Sequence, residues 1–490
     1  MPYRTASATP PNVCHAILIA FLLLLGFSNT QLYGQQGDAQ QRNRPNVVIF
    51  YTDDQGTLDA NCFGSDDLQT PNIDSLAAQG IRLTQHYAHT VCCPSRAALL
   101  TGRYPQRSNV NSWTQGRTWD RAKGRNMALS EITLAELLQA EGYKTALFGK
   151  WHLGAHPDHG PKKQGFDEFF GFRAGFIDNY HHFGGHGVGA HDLFEGTNEV
   201  FHRGSYFPDL IVDRAISFIE RNQAESFFLH IPFNLPHYPE QAVGQYAEAY
   251  ADLPEPRRSY ARVVSTCDHY LGRILTALDR FGVRDNTIVI FTADNGHSEE
   301  DYQVQVDGHL SGMQKGENYG ANGGGGNTGK WIGAKGSFLE GGIRVPAVIS
   351  YPKALSQGEE RSHAASIMDW YPTIAELCNV TLSPETRLDG GSLVSLLKDP
   401  AQPSPYDQGN GPVMHWQWQK GWATRVGDWK LIFKGSMGLG QPKLDQWTLT
   451  NLAEENPERK NHLQDQGEIV ARLKRIHENW ANDVFSTYQE

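Results

Sequence analysis

One pattern recurs along the first three quarters of the chain: an unbroken apolar run of strand length, then a polar cluster, with an amphipathic helix before the next run. Asn46-Val-Val-Ile-Phe-Tyr51 leads into Thr52-Asp53-Asp54-Gln55-Gly56. A run without alternation predicts a strand buried on both faces, as in a parallel sheet covered by helices. Residues 133–141 predict a helix, with Leu134, Leu137 and Leu138 on one face, a Thr133/Glu136 capping box and Gly142 as the stop. The strand Lys144-Thr-Ala-Leu-Phe148 then runs into Gly149-Lys150-Trp151-His152. A helix over residues 209–221 precedes the strand Ser226-Phe-Phe-Leu-His-Ile231 and the cluster Asn234-Leu-Pro-His237. A longer helix through Leu271, Ile274, Leu275 and Leu278 precedes Thr287-Ile-Val-Ile-Phe-Thr292 and Ala293-Asp294-Asn295-Gly296.

Helix-then-strand alternation over this length predicts an α/β domain with a mixed, mostly parallel sheet between helices. The polar clusters follow the carboxyl ends of the strands, where open α/β sheets place their sites. Val345-Pro-Ala-Val-Ile-Ser350 and a helix near residues 364–378 complete this domain. Residues 399–410, with Pro and Ser, read as a boundary. Beyond it, residues 412–418, 422–426 and 429–433 predict antiparallel strands, and Ile469, Val470, Leu473, Ile476 and Trp480 mark one face of a last helix. The expected organisation is a large domain over residues 45–398 and a smaller α+β subdomain over 399–490. There are no internal repeats.

The length of 490 residues suits this two-part plan. A net charge of −11 argues against a general nucleic-acid binder, and leaves room for an anionic substrate held by a few local cations. Near the N-terminus, Arg4 precedes the apolar run Ala16-Ile-Leu-Ile-Ala-Phe-Leu-Leu-Leu-Leu25. That run has the length of a signal-peptide core and is short for a membrane span. The expectation is a signal peptide over residues 1–34, cleaved near Gly34, a polar linker over 35–44, and export to the periplasm or medium without stable membrane insertion. Cys14 lies ahead of the run, so it is not a lipoprotein cysteine. The remaining Cys62, Cys92, Cys93, Cys267 and Cys378 form no disulfide framework and no paired zinc spacing.

Two strand ends carry candidate metal ligands, Asp53-Asp54 and Asp294-Asn295. Oxygen-only ligands suit a hard cation, Ca²⁺ or Mg²⁺. Each pair alone also fits an ordinary turn, since Asp and Asn are common where strands end. The decisive segment is Cys92-Cys93-Pro94-Ser95-Arg96-Ala-Ala-Leu-Leu-Thr101-Gly102-Arg103. It resembles the type I sulfatase signature, Cys-x-Pro-Ser-Arg followed by x-x-Leu-Leu-Thr-Gly. The resemblance extends through the Asp-Asp strand end, Gly149-Lys-Trp-His-Leu-Gly154, Asp294-Asn-Gly-His297, Lys335-Gly-Ser-Phe-Leu-Glu-Gly-Gly-Ile-Arg-Val-Pro346 and Arg425-Val-Gly-Asp-Trp-Lys-Leu-Ile432.

That resemblance implies an alkaline phosphatase-like fold and a sulfuric ester hydrolase. It implies that Cys92, not Cys93, is oxidised to formylglycine by a maturation enzyme. The hydrated aldehyde offers one hydroxyl to attack sulfur and keeps a proton on the other, so that the covalent sulfate can be eliminated in a second step. Asp53, Asp54, Asp294, Asn295 and the modified Cys92 are implied as ligands of Ca²⁺, with Mg²⁺ as the alternative. Arg96 and Lys150 are implied to hold the hydrate, His152 to take the remaining proton, and His237 and Lys335 to face the sulfate ester, one of them protonating the departing alcohol. The implied substrate is a sulfated carbohydrate or a small aryl sulfate. The polar contact that the family often has near Gly171-Phe-Arg-Ala-Gly-Phe-Ile-Asp178 has no close match here. Cys93 is expected to pack.

Three further signals carry less. Residues 324–330 mimic a phosphate loop, but Trp331 stands where Ser or Thr would bind Mg²⁺; they read as a flexible loop and a candidate pocket wall. Asp178-Asn-Tyr-His-His182, with His186 and His191, lacks helical zinc spacing and reads as a polar loop near the site. Asn379-Val-Thr381 is a glycosylation sequon that matters only in a glycosylating host. Two other functions stay open: a phosphonate or phosphodiester hydrolase on the same fold, and a non-catalytic binder of sulfated glycans.

Overall fold

A computed structural model of the protein describes residues 1–3, 44–114, 126–322, 324–434 and 444–486. The expected signal segment, its cleavage near Gly34, Cys14 and the linker up to residue 43 lie outside the described residues. The chain divides into two compact units, residues 1–44 and 45–490.

Ten strands make one sheet in the order Glu359–Arg361, Ile81–Leu83, Ala347–Ser350, Thr287–Ala293, Asn46–Asp53, Phe227–Pro236, Lys144–Lys150, Glu168–Phe172, Phe194–Glu195 and Asn198–Glu199. The five central strands, from Thr287–Ala293 to Glu168–Phe172, are mutually parallel. Asn46–Asp53 lies in the middle, with Val47 opposite both Phe228 and Ile288. Its residues are buried on both faces, as the unbroken apolar run predicts. Val47, Ile49 and Tyr51 enter one apolar layer, and Val48 and Phe50 enter the other. Each such side chain contributes about 1.5–3 kcal/mol by leaving water, and a one-residue slip would exchange the layers.

Helices Cys92–Thr101, Leu134–Ala140 and Trp370–Leu377 cover the first layer; Pro71–Ala78, Phe207–Asn222 and Arg257–Arg280 cover the second. The capping box forms as read: Thr133 Oγ1 accepts from the Glu136 amide at 3.1 Å, and the Thr133 amide donates to Glu136 Oε2 at 2.8 Å. The helix near residues 364–378 starts later than its pattern suggests. Ala365–Ser366 pairs with His86–Tyr87, and a second capping box, Ser366/Asp369, opens the turn ahead of Trp370–Leu377.

The C-terminal sheet runs Val413–Trp418, Gly421–Val426, Trp429–Phe433, Trp447–Asn451, all antiparallel. Its fourth strand is not among the sequence expectations. Leu473 of the terminal helix Gly467–Phe485 packs with Leu431 and Leu449 on one face. Met414, Trp416, Trp418, Ala423 and Ile432 join the main apolar layer through the other. Among the described residues, no helix is long and apolar enough to cross a membrane.

Candidate active site

Two neighbouring strands deliver the acidic groups. Asp53 ends Asn46–Asp53, and Asp294 and Asn295 follow Thr287–Ala293. Asp54 adopts φ +66°, and its amide donates to Asp294 Oδ1 at 3.1 Å. Tyr260, from the long helix, donates its hydroxyl to the Asp54 carbonyl and accepts the Gly56 amide, both at 3.0 Å, which fixes the turn from below.

Cys92 is the first residue of its helix, after the extended Val91. The side chain of Ser95 accepts the His89 amide at 2.9 Å, closing the entry to that helix. Cys92 therefore lies at a helix N-terminus, where unpaired amides and the peptide dipoles favour negative charge. One turn on, Arg96 donates to Asp294 Oδ2 at 2.7 Å and to the Lys150 carbonyl at 3.2 Å, and lies 3.5 Å from Asp53 Oδ1. Lys150, the last residue of its strand, donates to Asp53 Oδ2 at 2.6 Å. His152 follows with φ +55°, its carbonyl accepting from the side chain of Thr114 at 2.6 Å.

Lys335 arrives on a loop stitched to its surroundings. Its amide donates to the His297 carbonyl at 2.9 Å, and the Gly336 amide to the Thr90 carbonyl at 2.7 Å. The next helical turn abuts Gly296, where a Cβ would come within 1.8 Å of the Gly341 carbonyl oxygen. That spacing explains the glycine of Asp294-Asn-Gly-His, and those of Glu340-Gly-Gly are explained by the Gly333 and Ala334 carbonyl oxygens, 2.1 and 2.4 Å from where their Cβ atoms would lie. Lys335 Nζ donates to Asp54 Oδ2 and Glu300 Oε2, both at 2.9 Å. His237 Nδ1 lies 2.6 Å from the Tyr238 carbonyl, which can only accept, so Nδ1 carries a proton. Its Nε2 then faces Asp54 Oδ2 at 3.6 Å.

All ten site residues read from the sequence thus converge, and each is at most 4% exposed. Burial disfavours the ionised carboxylate of Asp53, but Lys150, His237 and Arg96 outweigh it and hold Asp53 well below the usual range. Burial and the facing Asp53 charge push Asp294 up to about 7. Burial, joined by Lys150 and Arg96, keeps His152 neutral far below the ordinary histidine range. Burial also raises the Cys92 thiol well above its usual value in spite of Lys150.

Ligand atoms of Asp53, Asp54, Cys92 and Asp294 lie within 4.8 Å of one another. Asp53 Oδ1 and Asn295 Oδ1 are buried without a hydrogen-bond partner among the described residues. Unpaired buried acceptors beside three carboxylates are what a cation would satisfy, so the donor set fits a divalent ion.

A cavity of about 310 Å³ opens onto Cys92, His152, His237 and Lys335. Sequence reasoning missed its remaining walls: Trp113, Phe176, Tyr238, Tyr302 and Glu300. Aromatic residues scattered over loops and one three-residue strand carry no periodic signal. Glu300 sits in the polar run Ser298-Glu-Glu-Asp301 just past a candidate ligand pair, and that position was the available clue. Gly175 and Phe176 line the cavity, whereas Asp178 turns away to accept the amides of Tyr180, His181 and Phe183. His186 reaches the cavity; His182 and His191 bond elsewhere, to the Ser205 carbonyl and to Glu199. The glycine-rich loop is not among the cavity's lining residues; Asn327 donates its amide to Asp59, and the Gly325 carbonyl accepts from Arg257. Cys93 is buried, with Sγ 3.7 Å from the Ser112 carbonyl.

Comparison with known proteins gives the following. The family model described as Sulfatase matches residues 45–380. Arylsulfatase J of Mus musculus is 28% identical over 82% of this chain and 64% of its own length. Steryl-sulfatase of Mus musculus is 30% identical over 74% of this chain and 66% of its own length. The chain therefore spans just under two thirds of these curated relatives. The crystal structure of Ps i-CgsB superposes with a TM-score of 0.74 at 27% identity, covering 91% of this chain and 94% of that one. A second structure of Ps i-CgsB is a complex with k-i-k-neocarrahexaose.

Proposed function

This chain belongs to the sulfatase family, and from that premise we propose that it hydrolyses sulfate esters of carbohydrates at the cavity ending on Cys92. The observation that carries the reading is the convergence of six distant segments on one buried cluster with two unpartnered oxygens. The carbohydrate part draws support from the oligosaccharide complex of Ps i-CgsB and from the aromatic cavity walls, whose faces suit sugar rings.

In this reading Asp53, Asp54, Asp294, Asn295 and residue 92 hold a divalent cation, calcium in preference to magnesium. When bound, the ion withdraws charge from the sulfate oxygens, and the formylglycine made from Cys92 supplies the attacking hydroxyl. Arg96 and Lys150 balance the carboxylates and orient residue 92. His152, kept neutral, accepts a proton. Lys335 Nζ is the donor facing the departing alcohol, which leaves as the S–O bond breaks, and His237 faces the ester beside it. Export through the apolar run at residues 16–25, and maturation by a formylglycine-generating enzyme, complete the proposal.

The test compares 4-nitrophenyl sulfate with bis(4-nitrophenyl) phosphate, using protein co-expressed with a formylglycine-generating enzyme. We expect kcat/KM to favour the sulfate by about a hundredfold or more, roughly 2.7 kcal/mol of transition-state preference. Faster cleavage of the diester would overturn the reading in favour of a phosphoester hydrolase.

A further inference from the structure

Glu300 is out of place in a cavity that binds an anion. Its side chain, 22% exposed, stands on the wall beside Lys335, whose ammonium already has Asp54 at 2.9 Å. A second carboxylate on that ammonium weakens its pull on sulfate, so charge balance within the cluster does not account for it. Nor is Glu300 placed casually. Its amide donates to Ser298 Oγ at 3.1 Å, and the Ser298 hydroxyl donates back to Oε2 at 2.9 Å. Two residues on, Tyr302 donates to the Gly185 carbonyl at 3.1 Å and lies in the same aromatic wall as Phe176 and Tyr238. Among the described residues, the hydrogen bonds to the carboxylate from Ser298 and Lys335 both fall on Oε2, which leaves Oε1 as acceptor capacity on a residue that lines the cavity.

Resting on the sulfate-ester reading above, we propose that Glu300 is a specificity-determining residue that reads the group beside the scissile ester. It accepts a hydrogen bond from a neighbouring hydroxyl of the substrate and repels a second anionic group, carboxylate or sulfate, at that position. A carboxylate is among the strongest acceptors for a hydroxyl. Two like charges about 5 Å apart at an effective dielectric near 20 disfavour each other by a factor of about three hundred, before water in the open cavity screens them. The selected substrate is a sulfate ester with a free hydroxyl next to it, rather than a vicinal disulfate or a sulfate flanked by a carboxylate.

The test needs no knowledge of the natural sugar. Wild type, Glu300→Gln and Glu300→Ala, each with Cys92 converted, are assayed on 4-nitrophenyl sulfate, on 2-hydroxy-5-nitrophenyl sulfate and on 2-carboxyphenyl sulfate. Comparing variants within each substrate cancels differences in leaving-group reactivity. In Glu300→Gln, kcat/KM on the carboxylate substrate should rise about tenfold relative to 4-nitrophenyl sulfate, mainly through KM. In Glu300→Ala, the advantage of the hydroxyl substrate should fall about tenfold relative to 4-nitrophenyl sulfate. If all three substrates change by one common factor, Glu300 serves only to hold Lys335 and the assignment is overturned. If wild type with fully converted Cys92 turns over none of them, nor any of a panel of monosulfated methyl glycosides, the proposed function itself is wrong and the assignment goes with it.

Discussion

Asn295 offers two atoms with opposite duties. Nδ2 donates to Asp54 Oδ1 at 2.6 Å, which fixes the amide's orientation, and Oδ1 is left buried without a hydrogen-bond partner. Asp53 repeats the arrangement, with Oδ2 taken by Lys150 and Oδ1 unpartnered in the hydrogen-bond sense. An unsatisfied buried acceptor costs about 1–3 kcal/mol, so an ion that pairs with both should stabilise the fold as well as the chemistry. Calcium at a hundred times its dissociation constant should add about 2.7 kcal/mol to unfolding free energy. Denaturant titration with and without calcium checks this, and Asn295→Ala should lose at least half of the gain at the same calcium concentration. An equal gain in the variant would remove Asn295 from the ligand set. These residues were legible because their order along the chain matched a known pattern. Glu300 and the aromatic walls were not, since loop residues acquire their meaning only once folding brings them to the cavity.

Between elements, the Lys335 loop depends on a charge network that lies in another part of the sequence. Lys430, wholly buried in the strand Trp429–Phe433, pairs with Glu340 at 2.8 Å and Glu458 at 2.5 Å, and Arg344 pairs with Glu340 at 2.7 Å. The Glu340 amide donates to Glu458 at 2.9 Å. Glu340 opens the short helix Glu340–Ile343 that follows Lys335, so the C-terminal sheet steadies the loop carrying a candidate proton donor. Lys430→Met would leave two buried carboxylates without their shared cation. It should destabilise the protein by about 3–5 kcal/mol in urea unfolding, with kcat falling alongside. A change under about 1 kcal/mol would mean the network is not a support. The sequence showed Lys430 only as part of a strand run. Element type was read well where the apolar run was long, as in Asn46–Asp53 and Thr287–Ala293. It failed for Trp447–Asn451 and Glu168–Phe172, five residues each, whose pairing rather than pattern makes them strands. The helix Arg257–Arg280 begins well before its Leu271–Leu278 stripe, because Tyr260, Val263 and Cys267 continue the buried face through a polar stretch.

At the scale of the whole molecule, the fold turns six separated segments into neighbours: four lie at the carboxyl ends of parallel strands, one at the N-terminus of the helix Cys92–Thr101 and one on the Lys335 loop. The antiparallel sheet is drawn into the same arrangement: Trp416 Nε1 donates to the Ala88 carbonyl at 3.0 Å, four residues ahead of Cys92. Burial gives the cluster its character. It keeps His152 neutral and raises the thiol at position 92, the residue that the sulfatase signature marks for conversion. Conversion of Cys92 is therefore the central claim, and peptide mass spectrometry across residues 92–96, on protein co-expressed with a formylglycine-generating enzyme, tests it most directly. The expected result is the mass loss of thiol-to-aldehyde conversion at Cys92 and none at Cys93, together with sulfate-ester hydrolysis that Cys92→Ala abolishes. An unmodified Cys92 in protein that still hydrolyses sulfate esters would contradict it.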